Sequence, residues 1–252
     1  MRLRTVVAPI IFGVAVLVLW QLAVVVFDIK QFVLPSPLLI GQRFTASLSY
    51  IATGVITTGT NALIGLVVGT VIGVVLAIVS ALVRPFNELS QPIVVALSVV
   101  PLVALAPVLY AMYGAGAETT RQVVAAIAVF VPVYVNTLRG LRQVRPVHRD
   151  LMRAYAASPF QVTRTVTIPG ALPFIFTGLR IASSLAVISA LIAEYFGGPV
   201  DGLGRAITSA ASQSDYALAY AIVLGSVILG LVFSCVTLAL EKFATRHSPS
   251  PH

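Results

Sequence analysis

The sequence predicts an all-α, polytopic membrane protein, and three observations lead to that fold class. Hydrophobic residues make up 58% of the 252 residues and charged residues only 10%, and the mean hydropathy is +1.01. Such a composition leaves too little polar surface to cover a soluble globule of this size. Apolar runs recur along the whole chain, and most reach the ~20 residues that a helix needs to cross a bilayer. Lipid is therefore the expected solvent for most of the chain.

Six segments are predicted to span the membrane. In chain order they cover residues 5–27, 44–83, 89–117, 122–138, 173–193 and 216–240. The fourth is the shortest, and only the fifth contains a charged residue, Arg180. The chain is predicted to form one membrane domain, 1–252, made of the first span with an outer interfacial segment (1–50), the core helices (51–240), a cytoplasmic loop (147–169) and a cytoplasmic tail (241–252).

The distribution of basic residues predicts the orientation of the chain, whose net charge is +8. Because basic residues accumulate on the cytoplasmic side of membrane proteins, both termini are predicted to be cytoplasmic. This orientation places Arg2, Arg4, Arg84, the arginines of 139–164, Lys242 and Arg246 inside, and Lys30, Arg43, Arg121 and Arg205 outside. No soluble segment carries a basic patch interleaved with aromatic residues, so nucleic-acid binding is not expected.

The sequence contains no recognisable catalytic or metal-binding motif. It lacks a His-Glu-x-x-His pattern, a Ser/His/Asp set and a Gly-rich phosphate loop. The single Cys235 has no second cysteine with which to pair, and His148, His247 and His252 all lie in predicted cytoplasmic segments. We therefore expect no catalytic residue, no bound metal and no enzymatic activity in this chain.

The second predicted span has one face of small side chains. Asn61, Gly65, Gly69, Gly73 and Ala77 recur every four residues, which places them on one side of a helix. A neighbouring helix can approach such a face closely. We expect it to pack tightly inside a bundle, which is compatible with its sliding in a moving transporter.

Prolines and isolated polar residues mark the segments that are expected to line a path. Pro92, Pro101 and Pro107 are predicted to kink the third span. Each polar residue at membrane depth is a candidate for contact with a solute, or alternatively bridges two helices. These candidates are Ser98, Tyr110, Tyr113, Asn136, Ser183, Ser184, Ser189 and Glu194.

Arg180 and Glu194 are the only ionisable residues within the predicted spans. At ~1.5 Å per residue they lie ~21 Å apart along one helix, so they cannot pair with each other. Arg180 is expected to reach the cytoplasmic surface, and Glu194 to mark the outer end of its helix. A proton relay needs several aligned carboxylates or histidines, which disfavours a proton-coupled carrier.

The cytoplasmic loop is predicted to contain two short helices joined at a bend. Residues 148–157 place Leu151, Met152 and Tyr155 on one side, with Arg149, Asp150 and Arg153 around the other. A second helix, which carries Phe160, is predicted to begin with a capping box of Ser158 and Gln161 and to stop before Pro169. Such an element can transmit force from a docked subunit, or alternatively it only determines the topology.

Within this loop the chain resembles the permeases of ATP-binding-cassette (ABC) importers. Asp150–Ala156, followed after nine residues by Val166–Pro169, is similar to their signature, which reads Glu-Ala-Ala, three residues, Gly, nine residues, Ile, one residue, Leu-Pro. The spacing matches at every anchor. Asp150 stands where the family prefers Glu, and Ala156 where it prefers Gly.

Further segments resemble the branch of these permeases for nitrate, sulfonates, taurine and thiamine precursors. They are Leu34–Pro37, Val100–Pro107, Asn136–Gly140, Gly178–Ile181, Ala193–Glu194 and Gly202–Gly204. The resemblance implies a type I ABC importer permease fold in a bacterial inner membrane, and a homodimer with two cytoplasmic ATPase subunits and an extracytoplasmic binding protein. ATP and Mg²⁺ would be held by the ATPase, so no cofactor is expected in this chain. The docking segment implied is Arg149, Asp150, Leu151, Met152, Arg153, Tyr155, Ala156, Ser158 and Phe160.

The sequence leaves the cargo and two other functions open. An ion-coupled secondary carrier and a membrane scaffold protein remain as alternatives to the importer permease. Tyr110, Tyr113 and Tyr195 favour a small heteroaromatic cargo, such as a pyrimidine vitamin precursor or riboflavin, over a sulfonate or nitrate. The scarcity of charge in the spans agrees, because an unpaired anion buried there costs several kcal/mol or more.

Overall fold

The computed structural model describes residues 2–114, 116–143, 146–197 and 201–245. In these ranges all regular structure is helical. In chain order the helices are α1 (Arg2–Val26), α2 (Pro37–Ala46), α3 (Leu48–Leu82), α4 (Arg84–Val99), α5 (Leu102–Tyr113), α6 (Glu118–Arg142), α7 (Pro146–Ala154), α8 (Pro159–Val162), α9 (Ile168–Phe196), α10 (Leu203–Ser212) and α11 (Tyr216–Ala244). A π-helical turn, Thr163–Thr167, joins α8 to α9.

Among the described residues, five segments are long and apolar enough to cross a membrane. They are residues 7–26 of α1, α3, α6, the continuous run 159–196 that ends with α9, and α11. Together, α4 and α5 supply a sixth span that is bent by 96°. The prediction of about six spans is therefore confirmed, with the third span broken in two.

The break between α4 and α5 lies at Val100 and Pro101. Val100 has φ −64° and ψ 123°, the extended conformation that a following proline favours. Proline also lacks the N–H that would continue the helical hydrogen bonds. The predicted single kinked span is wrong at this point, whereas Pro92 and Pro107 lie inside α4 and α5.

The chain stays helical from Pro159 to Phe196, so the prediction that a helix stops before Pro169 is wrong. The π turn accounts for this continuity. In it the N–H of Ile168 donates to the carbonyl of Thr163, five residues earlier instead of four. The wider turn accommodates the ring of Pro169, which would clash with a carbonyl of the preceding turn in a regular α-helix. As a result, no loop separates α8 from α9.

The centre of the bundle is α6, which packs along both α3 and α9. A Cβ atom added to Gly65 would lie 2.5 Å from the Cβ of Ala125, and one added to Gly69 would lie 2.5 Å from the carbonyl oxygen of Ala126. The small-residue face of α3 thus lies almost directly on the backbone of α6. We refer to the end of the bundle that carries α7 and α8 as the α7 end, and to the opposite end as the α10 end.

Helix α1 lies at the edge of the bundle, with the side chains of residues 7–19 exposed. Trp20 packs edge-on against Tyr220 of α11, with ring centroids 6.3 Å apart. Gln21 accepts a hydrogen bond from the N–H of Leu38, at the start of α2, at 3.2 Å. These contacts attach α1 to the bundle near the α10 end.

Candidate functional site

The first candidate site is the elbow formed by α7 and α8, residues 146–162, which connects α6 to α9. Four of its large apolar side chains are exposed: Tyr155 by 75%, Val147 by 73%, Phe160 by 72% and Leu151 by 51%. Exposed apolar side chains that lie close together indicate an interaction surface. Met152 is half-buried, and the side chain of Arg149 lies outside the described residues.

The first half of the bend is formed by a Schellman motif at the end of α7. The N–H of Ala157 donates to the carbonyl of Met152 at 3.0 Å, and the N–H of Ala156 donates to the carbonyl of Arg153 at 2.9 Å. Ala156 has a φ of +50°, which glycine adopts without strain and alanine does not. This conformation explains why the permease signature prefers glycine here, and why α7 ends at Ala154 instead of reaching Ala157 as predicted.

The second half of the bend is a capping box at the start of α8. The N–H of Ser158 donates to Oε1 of Gln161 at 2.7 Å, and the N–H of Gln161 donates to Oγ of Ser158 at 3.4 Å. This is the capping box that the sequence predicts. Asp150 pairs on the surface with Arg153, Oδ1 to Nη1, at 3.4 Å. The elbow therefore has a defined shape with exposed aromatic rings.

The second candidate site is a buried polar network at the α10 end, centred on Glu194 of α9. Its Oε1 lies 3.1 Å from Nη1 of Arg121 on α6. Thr58 of α3 donates its hydroxyl to Oε2 at 2.8 Å, and the N–H of Gly204 donates to Oε2 at 3.0 Å. Thr58 in turn accepts a hydrogen bond from the N–H of Leu203 at 2.9 Å. The Glu194 carboxylate thus connects α3, α6, α9 and the start of α10.

Arg121 is the residue of this network that the sequence does not reveal. The basic-residue pattern predicts it to be in an outer loop, but it lies in α6 and its side chain is fully buried. The statement that Arg180 and Glu194 are the only ionisable residues in the spans is therefore wrong. Arg180 pairs instead with Glu241 of α11, Nη1 to Oε2, at 3.4 Å. The available signal was Glu194 itself, because a carboxylate at membrane depth needs a cation nearby.

The other predicted path residues do not converge on one cavity within the described protomer. Ser183 and Ser189 are buried, and Ser183 donates to the carbonyl of Arg180 at 2.8 Å. Asn136 donates to the carbonyl of Pro132 at 2.8 Å. Ser98 and Tyr113 lie at the surface. Ser98 donates its hydroxyl to the carbonyl of Val95 at 2.7 Å, and the ring of Tyr113 is half-exposed.

Ser184 is the predicted path residue that lines a large groove. It shares a hydrogen bond with Ser234 of α11, Oγ to Oγ, at 2.9 Å. The groove between α9 and α11 has a volume of about 690 Å³, and Tyr195 and Ser226 also line it. Among the described residues, no three His, Cys, Asp or Glu side chains are grouped so as to hold a metal ion.

The family described as binding-protein-dependent transport system inner membrane component matches residues 69–246. The riboflavin transport system permease protein RibX of Chloroflexus aurantiacus is 34% identical over 93% of this chain and 87% of its own length. The putative aliphatic sulfonates transport permease protein SsuC of Escherichia coli is 32% identical over 98% and 94%. The formylaminopyrimidine transport permease protein ThiX of Halalkalibacterium halodurans is 28% identical over 78% of each chain.

The fold is also that of solved ABC transporter structures. A chain of the MetNI methionine ABC transporter, in an inward facing conformation, superimposes with a TM-score of 0.68 and 18% sequence identity. The match covers 80% of this chain and 99% of that chain. The predicted all-α importer permease fold is thereby confirmed.

Proposed function

The chain belongs to the family of binding-protein-dependent transport system inner membrane components, and we propose that two copies of it form the membrane unit of an ATP-driven importer. Its relatives are ABC transport permeases, so the chain is a permease subunit of this class. In the proposed assembly two cytoplasmic ATPase subunits hold ATP and Mg²⁺, and this chain binds no cofactor. A binding protein on the other side of the membrane delivers the solute.

The elbow is the proposed docking site for the ATPase, and its geometry is the observation that supports this assignment most strongly. Tyr155, Phe160 and Leu151 are exposed on it, although burial of such side chains is favourable by ~1.5–3 kcal/mol each. The helical path from Pro159 into α9 then gives a docked subunit a direct mechanical connection to the centre of the bundle.

The proposed orientation places the α7 end in the cytoplasm. The described residues at this end include Arg84, Arg139, Arg142, Arg153 and Arg164. Such an excess of basic residues is typical of the cytoplasmic face. In this orientation Asp201, which precedes α10, faces the opposite compartment.

Transport in this proposal is a change between inward-open and outward-open arrangements. Closure of the ATPase subunits on ATP would move the two elbows together, and each elbow would turn its α9 against the rest of the bundle. The close contact of Gly65 and Gly69 with α6 provides a side-chain-free surface on which α3 and α6 can shift.

We propose a small heteroaromatic molecule of the pyrimidine or flavin type as cargo. Two of the similar permeases are named for riboflavin and for formylaminopyrimidine transport. A sulfonate, as in the name of SsuC, or nitrate is the competing class. Calorimetry on the companion binding protein distinguishes them: riboflavin or a formylaminopyrimidine should bind, and preferential binding of taurine or nitrate would refute the assignment.

Tyr155→Asp and Phe160→Asp test the docking surface. Each variant should lose copurification with the ATPase and ATP-dependent uptake in proteoliposomes. Phe243→Asp is the matched control, because Phe243 is an exposed aromatic residue near the same end, on α11. Uptake that survives both elbow substitutions would exclude this docking surface, and uptake by the purified chain alone would exclude the proposed assembly.

A further inference from the structure

Helix α5 is a short membrane segment that is joined to the preceding helix, α4, by a sharp bend. It is only 12 residues long, and it meets α4 at 96° through the extended residues Val100 and Pro101. Val108 and Met112 are exposed on its outer side, and Val103 lines the groove between α9 and α11. Helix α5 is therefore a short segment with a non-helical hinge at one end.

The inner side of α5 covers the seam between α6 and α9 at the α10 end. Ala106 and Leu109 of α5 form a small buried cluster with Val124 of α6 and Ala193 of α9. Ala106, Val124 and Ala193 have no exposed surface at all. Three of these four buried residues are alanine or valine, and the larger side chains that pack against them, Leu102, Leu105 and Val123, are only partly buried.

One polar contact holds the far end of α5. Tyr110, which is 7% exposed, donates its hydroxyl to the carbonyl of Gly197 at 3.0 Å. A Cβ atom added to Gly197 would lie 3.0 Å from Cδ2 of the Tyr110 ring. Gly197 has a φ of 172°, an extended conformation open to any residue. The tyrosine ring, and not the backbone conformation, therefore limits the space for a side chain at this position.

The backbone at Gly197, which Tyr110 contacts, is anchored by the buried Glu194 network. Gly197 comes three residues after Glu194, whose carboxylate is bound to Arg121 and Thr58 and to the N–H of Gly204. Disturbing this network would leave buried charges unpaired, which is far more costly than breaking one neutral hydrogen bond. Of the elements that meet here, α5 is the one whose displacement requires the fewest contacts to break.

We propose that α5 is a gate helix that turns about Val100–Pro101 and opens the seam between α6 and α9 at the α10 end, with Tyr110 as the positioning residue that holds it closed. The proposal rests on the proposed transport function, in which that end of the protein faces the delivered solute. In this proposal the hydrogen bond between Tyr110 and Gly197 is present in the closed gate, and the solute must break this contact before the solute can enter.

Cysteine labelling tests the gate without the ATPase. Cys235 is the single cysteine, so a Cys235→Ser background with Ala193→Cys places one thiol beneath α5. In reconstituted protein, Tyr110→Phe should raise the rate of reaction with a small maleimide about fivefold, because one hydrogen bond is lost. Gly197→Ala should raise it as well, since the added methyl group displaces the ring. Tyr113→Phe is the matched control on the same helix, where the ring is half-exposed, and it should leave the rate unchanged.

Labelling at Met112→Cys, an exposed position on α5, measures the rate for an uncovered thiol. The proposal is wrong if Ala193→Cys reacts as fast as Met112→Cys, or if both Tyr110→Phe and Gly197→Ala react at the rate of the parent. Neither result depends on whether an ATPase binds. Loss of ATPase copurification would refute the proposed assembly while leaving the labelling result intact.

Discussion

Arg121 and Glu194 form an ion pair at 3.1 Å in which neither side chain is exposed. The two residues lie 73 positions apart in the sequence and on different membrane helices. Glu118, one turn before Arg121, adds a second carboxylate at 3.4 Å, which is largely exposed. The arginine therefore has two anionic partners, whereas Glu194 has Arg121 as its one cationic partner among the described residues.

This asymmetry predicts unequal effects of two substitutions. Arg121→Met leaves Glu194 without a cation and should lower the free energy of unfolding by about 3–5 kcal/mol. Glu194→Gln leaves Arg121 paired with Glu118 and should cost less, and the double variant should recover part of the loss. The melting temperature of the purified protein in detergent measures all three. Arg180→Met is the control, because the Arg180–Glu241 pair is partly exposed and should contribute no more than ~1 kcal/mol. Equal losses for Arg121→Met and Arg180→Met would contradict this interpretation.

Features encoded within a few residues were predictable from the sequence. The spans follow from uninterrupted apolar runs, and the capping box of Ser158 and Gln161 follows from the type and spacing of two residues. Features that depend on residues far away in the sequence were not predictable. The burial of Arg121 is determined by Glu194 on another helix, and nothing in the residues around Arg121 specifies that contact.

Two further errors have local causes that the sequence does not resolve. Pro101 and Pro169 are both prolines near apolar runs, yet the first breaks a helix and the second lies within one. The difference comes from the π turn at Thr163–Thr167, whose bonding depends on how the neighbouring turns pack. The positions of the path residues were equally unpredictable, because side chains such as Ser98, Asn136 and Ser184 are hydrogen-bonded within their own helix or to an adjacent one.

Ala156→Gly should stabilise the elbow. Alanine with a φ of +50° is disfavoured by ~1–2 kcal/mol, and glycine relieves that strain while allowing the unfolded chain more freedom, so we expect a net gain of about 1 kcal/mol. Hydrogen exchange of the amides in residues 146–162 should slow. Ala154→Gly, at the last residue of α7, is the control and should speed exchange, because glycine weakens a helix. If both variants exchange faster, the left-handed conformation of Ala156 is wrong.

Gly69→Ala should disrupt the contact between α3 and α6. The added Cβ would lie 2.5 Å from the carbonyl oxygen of Ala126 and 2.8 Å from the Cβ of Val129, so the two helices must separate at a cost of about 1–3 kcal/mol. Gly230→Ala is the matched control within α11, since nothing lies within 4 Å of its added Cβ. It should be neutral or slightly stabilising, because alanine is the better helix former. Thermal unfolding in detergent compares the two, and indistinguishable melting temperatures would show that α3 does not approach α6 this closely.

Tyr134→Phe should weaken the attachment of α4 to the bundle without displacing α5 from its closed position. The Tyr134 hydroxyl lies 2.8 Å from both Ser80 of α3 and Ser90 of α4, and the two serines remain 3.2 Å from each other once it is removed. We therefore expect a loss of only about 1 kcal/mol and faster hydrogen exchange confined to α4. The thiol of Ala193→Cys should react at the parent rate, because α5 is held by Tyr110 on the other side of the Pro101 break. Faster labelling of Ala193→Cys in Tyr134→Phe would mean that α4 and α5 move as one body, and the hinge at Val100–Pro101 would then have to be abandoned.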